Sequence, residues 1–264
     1  MQVLAFHLMG KMAHFRKYYS NSTALSYYLP PVVTVKGILA GLLGRERDSY
    51  YTEFSDDVCK IAVGIGAKVR KITQAMNLLK VERPGDLNGS SRPGKQVYGA
   101  NHTQNDTEWI VPENFQTGAL CYPVRFWHED EALMAELAEK LCSFPGAYGS
   151  EGISLVLGSA QCLGWIEDAK LLETEQIQSD CLKTRFAVPI SAVRGLDRTV
   201  SLRNVSLLKE ETMVEFDANR RITEKSRQNI LISDNGTSIC FQLNPQVPFW
   251  RDEEDDYLFL GGPF

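Results

Sequence analysis

Between Val3 and Leu157 the spacing of apolar residues switches twice from the two-residue repeat of a strand to the longer repeat of a helix and back. Val3 to Met9 predicts a strand with Leu4, Phe6 and Leu8 on one side. A helix is expected from about Thr34, in the N-cap position, to Leu43, with Gly44 placed to stop it. Gly37, Ala40, Gly41 and Gly44 recur three or four apart and give that helix a narrow face that can lie close to a sheet. Lys60 to Ala67 alternates, with Ile61, Val63 and Ile65 opposite Ala62, Gly64 and Gly66, and is read as a strand running past a bulge near Gly66 towards Val81.

From Glu82 to Gln116 the chain is rich in Gly, Pro, Asn, Ser and Thr, too long for a plain connection, so a protruding hairpin between two long strands is expected. Cys121 to His128 reads as the next strand. Glu129, Asp130 and Glu131 then open a second helix, where acid complements the dipole, and Leu133, Met134, Leu137, Ala138 and Leu141 form its stripe. Pro145 lies beyond it, and Ile153 to Leu157 reads as a short strand. This order is that of an α+β, split βαβ, ferredoxin-like (RRM-like) domain. From Gly158 onward the pattern is mostly β, with strands expected at Cys162–Leu172, Thr184–Ile190, Thr212–Phe216, Ile230–Ile232 and Ser238–Leu243. The division expected is 1–158 for the first domain, with its excursion at about 81–119, and 159–264 for a β-rich C-terminal extension.

Several function classes drop out early. The chain has no Walker loop, no GxGxxG after a strand, no HExxH and no GxSxG. The cysteines (Cys59, Cys121, Cys142, Cys162, Cys181, Cys240) include no CxxC pair and read as small buried hydrophobes in a reducing compartment. The histidines lack metal-ligand spacing: His7 and His128 read as structural residues in strands, and His102 as solvated. No apolar run reaches membrane-spanning length, and the start lacks the charged region of a secretion signal, so Asn-x-Ser/Thr triplets such as those at Asn21 and Asn101 read as chance matches. The expectation is a cytoplasmic protein with no metal, no cofactor and no membrane partner.

Charge is segregated although the net value is only −5. Lys11, Arg16, Lys17, Lys36, Arg45, Arg47, Lys60, Lys68, Arg70, Lys71, Lys80, Arg83, Arg92 and Lys95 make the first part basic, while acid collects in the second helix and in Asp252 to Asp256. Such a distribution lets an acidic protein hold a polyphosphate on one face. Within it, His14 to Tyr28 interleaves the needed chemistry. Arg16 and Lys17 can neutralise phosphates, Tyr18 and Tyr19 offer stacking faces, Ser20, Ser22 and Ser26 offer hydroxyls, and Lys36 stands near free helix N–H groups. The candidate RNA-binding set is therefore His14, Arg16, Lys17, Tyr18, Tyr19, Ser20, Ser26, Lys36, Arg70, Lys71, Arg92 and Lys95, with no catalytic residue assigned. The plain alternative is an aromatic loop packed over the sheet, which accounts for Phe15 and for at least one of Tyr27 and Tyr28.

Gly10–Lys17, Ser26–Pro31 and Val35–Gly44, extended by Arg47–Tyr51 and Lys60–Leu79, resemble the opening of CRISPR-associated Cas family five, a RAMP family, in its type I-B form. Leu155 to Ser159 resembles that family's later glycine turn. The resemblance implies a ferredoxin-like RAMP domain with a long β-hairpin thumb that wedges at the handle–spacer boundary. It further implies a subunit that holds the 5′ handle of CRISPR RNA (crRNA) within Cascade, beside the backbone and large subunits, and meets target DNA only indirectly. Gly261-Gly262 is a short candidate for the glycine-rich loop that often touches RNA. Some type I-C relatives cleave precursor crRNA without metal, and His14, Tyr18, Tyr19 and Lys36 fit such roles by residue type. The adjacent Lys-His pair of those relatives is missing, so binding without catalysis is the expectation. A structural adaptor whose basic face meets an acidic protein is the third reading.

Overall fold

The computed structural model describes residues 1–20, 23–79, 102–142, 155–196 and 206–261. In chain order its first part contains β1 (Gln2–Gly10), β2 (Phe15–Arg16), β3 (Ser26–Tyr27), α1 (Val32–Leu42), β4 (Cys59–Val63), β5 (Val69–Leu79), β6 (His102–Pro112), β7 (Leu120–His128), α2 (Glu131–Cys142) and β8 (Gly164–Glu173). β4, β7, β1 and β8 form an antiparallel sheet in that order, with α1 between β1 and β4 in the chain and α2 between β7 and β8. The fold is α+β.

Alternation decides which face each residue takes. Leu4, Phe6, Leu8, Ile61, Val63, Tyr122, Val124 and Phe126 point to one side and pack against Val35 and Leu39 of α1 and Leu133 and Leu137 of α2. Asp130 caps α2, its Oδ1 accepting from the N–H of Ala132 at 2.8 Å. Helix α1 starts earlier than expected, behind Pro31 rather than Thr34, because the Pro31 carbonyl already accepts from Thr34 and Val35 N–H at 2.8 and 3.2 Å. No side chain caps it.

Three other expectations change. The strand read from Lys60 towards Val81 is two strands in different sheets: β4 ends at Val63, and Val69 to Leu79 pairs throughout with His102 to Pro112. Part of the polar excursion is thus ordered strand; residues 80–101, including the candidates Arg92 and Lys95, lie outside the described residues. The fourth sheet strand is not the Ile153–Leu157 run but β8. Residues 153 and 154 are outside the described set, and Leu155 to Leu157 instead forms one arm of a turn, with Leu157 N–H on the Cys162 carbonyl at 2.7 Å and Gly164 N–H on that of Leu155 at 3.1 Å. Both leucines are buried there, so apolarity alone did not make the run a sheet strand. Cys142 and Cys181 are exposed, against the expectation for the cysteines.

The later strands are β9 (Glu175–Ile177), β10 (Cys181–Thr184), β11 (Val188–Pro189), β12 (Val193–Leu196), β13 (Leu207–Met213), β14 (Arg227–Ser233), β15 (Ile239–Leu243), β16 (Phe249–Arg251) and β17 (Asp256–Tyr257). They form three small sheets, β10-β15-β12, β11-β14-β13 and β17-β16-β9. This region covers the sheet face turned away from the helices, where Val3, Ala5 and Ala62 meet Phe186, Tyr257 and Phe259. It also blunts the outer edge of β4: Leu260 N–H bonds the Ile61 carbonyl at 2.8 Å and Ala187 N–H that of Val63 at 2.9 Å.

The clasp between the two parts is ionic. Arg125 of β7 sits between Ala5 and Ala62 in register, small neighbours that leave room for a guanidinium, and is 1% exposed. Its Nε donates to Asp252 at 2.6 Å, and Nη2 to Glu254 at 2.9 Å and Asp255 at 3.2 Å. Phe186 and Tyr257 flank the guanidinium at 5.4 and 5.9 Å. The acidic tail is therefore fastened to the sheet through the buried Asp252, with Glu254 and Asp255 engaged nearer the surface. Arg125→Ala strands the fully buried Asp252 carboxylate and is expected to cost about 3–5 kcal/mol of unfolding free energy. Urea denaturation of the variant measures this; a loss below about 1 kcal/mol, the scale of an exposed pair, would show that the clasp is dispensable.

Candidate nucleic-acid interface

The segment from Ala13 to Tyr28 is anchored at intervals by apolar side chains: Phe15 and Tyr27, opposite each other in the β2–β3 pair, are 3% and 2% exposed. It lies along β6, bridged through Ala13 to Ile110 and through Ala24 to Thr107. Two carboxylates fix the rest. Glu108 of β6 accepts from Ser26 N–H at 3.0 Å and from Lys71 Nζ at 3.1 Å, and its carbonyl accepts from His14 Nδ1 at 2.7 Å. Glu210 of β13 accepts from Tyr28 N–H at 2.9 Å and pairs with Lys17 at 3.0 Å.

These contacts sort the candidates. Ser26 is fully buried, its Oγ accepting from Phe15 N–H and donating to the Tyr27 carbonyl. Ser20 is nearly buried and donates to the Lys17 carbonyl at 2.7 Å. His14 is buried against Trp109, and desolvation holds its pKa below the usual 6.5. Burial would lower Lys17, but the Glu210 carboxylate outweighs it and holds the ammonium above its ordinary range. Lys71 donates to the Ser26 carbonyl and lies 4.3 Å from the Tyr28 ring centroid; burial pulls its pKa down despite Glu210 and Glu108. Lys36, on the second turn of α1, is 4% exposed and bonds Asp56 at 2.5 Å instead of facing the helix N-terminus. Burial raises the Asp56 pKa against the pull of Lys36. Lys17, Lys36 and Lys71 thus each hold a carboxylate within the fold.

Arg16, Tyr18 and Tyr19 remain at the surface. Arg16 is exposed, with Nη2 on the Ser20 carbonyl at 3.3 Å and no carboxylate partner among the described residues. Tyr18 and Tyr19 are 41% and 54% exposed and meet edge to face at 5.1 Å. The Tyr18 hydroxyl donates to Glu211 at 2.5 Å and accepts from Arg227 at 3.2 Å, so that ring is braced. Arg70 is exposed at the start of β5, outside the clefts described next.

Two adjoining clefts of about 370 and 500 Å³ share Arg16, Pro31, Thr34, Gly158 and Arg220 on their walls. The first continues between the start of α1, Tyr50, Tyr51 and Phe216; the second runs beneath Met76, Leu78 and Trp109 of the β5–β6 ladder. Tyr18 stands on the wall of the first. Arg220 takes φ +60° and pairs with Asp48 at 3.1 Å while half exposed. Gly158, at φ +91°, passes so near that a Cβ would lie 2.0 Å from the His14 carbonyl, so only glycine fits where the two clefts join. Two guanidiniums beside an uncapped helix start make a positive centre suited to phosphate, and the tyrosines supply stacking faces. Sequence reasoning missed Arg220, Tyr50 and Phe216. Arg220 lies in the polar loop 217–228, whose pattern carries no periodic signal.

Among the described residues no group of three His, Cys, Asp or Glu gathers as a metal site, and no helix is long and apolar enough to cross a membrane. No protein-family model and no curated protein matches the sequence. The fold has a solved counterpart: a CRISPR protein from Archaeoglobus fulgidus aligns at TM-score 0.57 and 13% identity, over 97% of this chain and 98% of that one. A chain of a CRISPR RNA-guided surveillance complex aligns at TM-score 0.49 and 12% identity, over 90% of this chain and 91% of that one. A chain of the type III-B Cmr-beta complex bound to cognate target RNA and AMPPnP aligns at 0.46 and 11%, over 91% and 86%. The first likeness establishes a shared fold; the other two scores fall below the level that would.

The two kinds of basic residue separate by experiment. Lys36→Ala leaves the partly buried Asp56 carboxylate without its cation and is expected to cost about 2–3 kcal/mol, whereas exposed Arg16→Ala stays within about 0.5 kcal/mol. His14 adds a pH signature. Its lowered folded pKa means that the unfolded chain binds the proton first, so its contribution is complete above pH 6.5 and is lost as pH falls through the folded value. Denaturation midpoints between pH 5 and 7 should show that decline, and His14→Gln should flatten it.

Proposed function

We propose that this chain is a non-catalytic RNA-binding subunit of a CRISPR effector complex, holding the 5′ handle of crRNA in the paired clefts. The observation that carries the reading is Arg16 and Arg220 facing a shared groove whose edge bears the exposed Tyr18–Tyr19 pair. That combination suits a single strand, with phosphate at the guanidiniums and splayed bases on the rings.

The sheet order β4-β7-β1-β8 with its two intervening helices supports a ferredoxin-like RAMP domain. The ladder of β5 and β6 supports a thumb rooted at Val69, earlier in the chain than residue 81. In a type I-B Cascade, the neighbours of this subunit would be the backbone and large subunits, with target DNA met only through them. Cleavage is less well served by the geometry. Lys36 is committed to Asp56 and lines neither cleft; His14 does line the second cleft, and with Nδ1 on the Glu108 carbonyl only its Nε2 is left to act on a ribose hydroxyl.

The test uses purified protein and end-labelled repeat RNA in EDTA, read on native and denaturing gels. A shift with intact RNA is expected. Arg16→Ala with Arg220→Ala should weaken binding about tenfold or more and reduce the log–log salt slope by about 1.4, the single-strand value for two lost phosphate contacts. Unchanged affinity in a folded double variant would sink the placement, and discrete cleavage within the repeat would make the chain a processing nuclease.

A further inference from the structure

A third cavity, of about 400 Å³, shares no wall residue with the RNA groove. It opens beside β4 under the 245–248 loop, and Pro245, Val247, Pro248, Phe259 and Leu260 make its walls largely apolar. The loop is held in an unusual conformation, with Gln246 at φ +72°. Two charged residues also line the cavity. Asp56 is already paired with Lys36 at 2.5 Å. Lys60 is not so engaged: its ammonium lies 5.5 Å from the Trp127 ring centroid and 5.6 Å from that of Trp250, and it has no carboxylate partner among the described residues. Two indole faces orient the cation without discharging it.

We infer that this cavity docks an extended segment of a partner protein in which an aliphatic or aromatic side chain stands next to a carboxylate. The apolar side chain fills the space between Val247, Pro248 and Phe259, and the carboxylate meets Lys60 between its two indoles. Charge complementarity selects this occupant. A nucleic-acid strand would bring repeated phosphates to a wall with one unpaired cation and a neighbouring acid, and would leave the proline-lined surface unfilled. A basic segment would set its charge against Lys60. An anchor of this size serves as the buried centre of a wider contact.

An array of hexapeptides tests the inference, each acidic member paired with its amide counterpart, probed with the full chain and with the Lys60→Gln and Val247→Glu variants. Thermal unfolding confirms that both variants fold. The wild type should retain peptides with Asp or Glu beside Leu, Phe or Trp about tenfold better than their Asn or Gln versions. Lys60→Gln should erase that preference while keeping apolar retention, and Val247→Glu should abolish both. Single-stranded RNA added as competitor should leave retention unchanged. Equal retention of acidic and amide versions, a preference for basic peptides, no retention, displacement by RNA, or an undiminished acid preference in Lys60→Gln would each overturn the inference. Apart from displacement by RNA, none of these outcomes bears on RNA binding at the groove.

Discussion

The carboxylates of Glu108 and Glu210 set the geometry on which the candidate site depends. They come from β6 and β13, far apart in the chain, and converge on the segment between Ala13 and Tyr28, taking up two backbone N–H groups and two lysines. A short stretch with only two brief strands would otherwise lose considerable backbone entropy for few contacts. The carboxylates fix it at Ser26 and Tyr28 on one side and at Lys17 on the other, while Arg16, Tyr18 and Tyr19 stay exposed. Among the described residues of this segment, those that stay exposed have chemistry suited to a nucleic acid.

This arrangement reverses the simplest reading of the basic residues. A lysine beside a tyrosine looks like a phosphate ligand, yet Lys17, Lys36 and Lys71 are each paired within the fold. Burial makes that pairing necessary, because an ammonium removed from water without a partner is costly. The arginines of the groove differ in their surroundings. Among the described residues the Arg16 guanidinium bonds the Ser20 carbonyl and no carboxylate, and Arg220 meets Asp48 at a half-exposed site where screening keeps the pair weak. Such cations can be drawn to a phosphate at little cost to the fold. The acidic tail follows the same logic on the other side of the sheet, where Arg125, Arg185 and Lys170 hold Asp252, Glu254 and Asp255.

Much of the first sheet was legible in the sequence, because β1 and α2 carry clean repeats and α2 opens on an acidic first turn, while its Asp130 cap emerged only from the structure. Helix α1 was legible too, although its start was not, since Pro31 and Thr34 both suit the opening of a helix. Of its expected narrow face, Gly37 meets Tyr50 on the groove wall and Gly44 is exposed, while Val35 and Leu39 pack into the core. The fourth strand was misplaced because an apolar run such as Leu155–Leu157 can be buried in a turn as well as in a sheet. Tertiary contacts with β1 decided the outcome in favour of Gly164–Glu173. In the candidate site, Arg16, Tyr18 and Tyr19 were singled out by residue type alone, and the fold leaves these three exposed. The partners Glu108, Glu210 and Arg220 were invisible, since nothing local to an acidic residue in a strand, or to an arginine in a polar loop, marks a contact across the fold.

Photocrosslinking tests the central claim most directly: repeat RNA with 4-thiouridine through its handle is bound to the protein, irradiated, and the attached peptides are read by mass spectrometry. Crosslinks are expected on Tyr18 and Tyr19 and on the peptide that contains Arg220, all competed by unlabelled handle. Crosslinks confined to the β10-β15-β12 face, or scattered without competition, would contradict it.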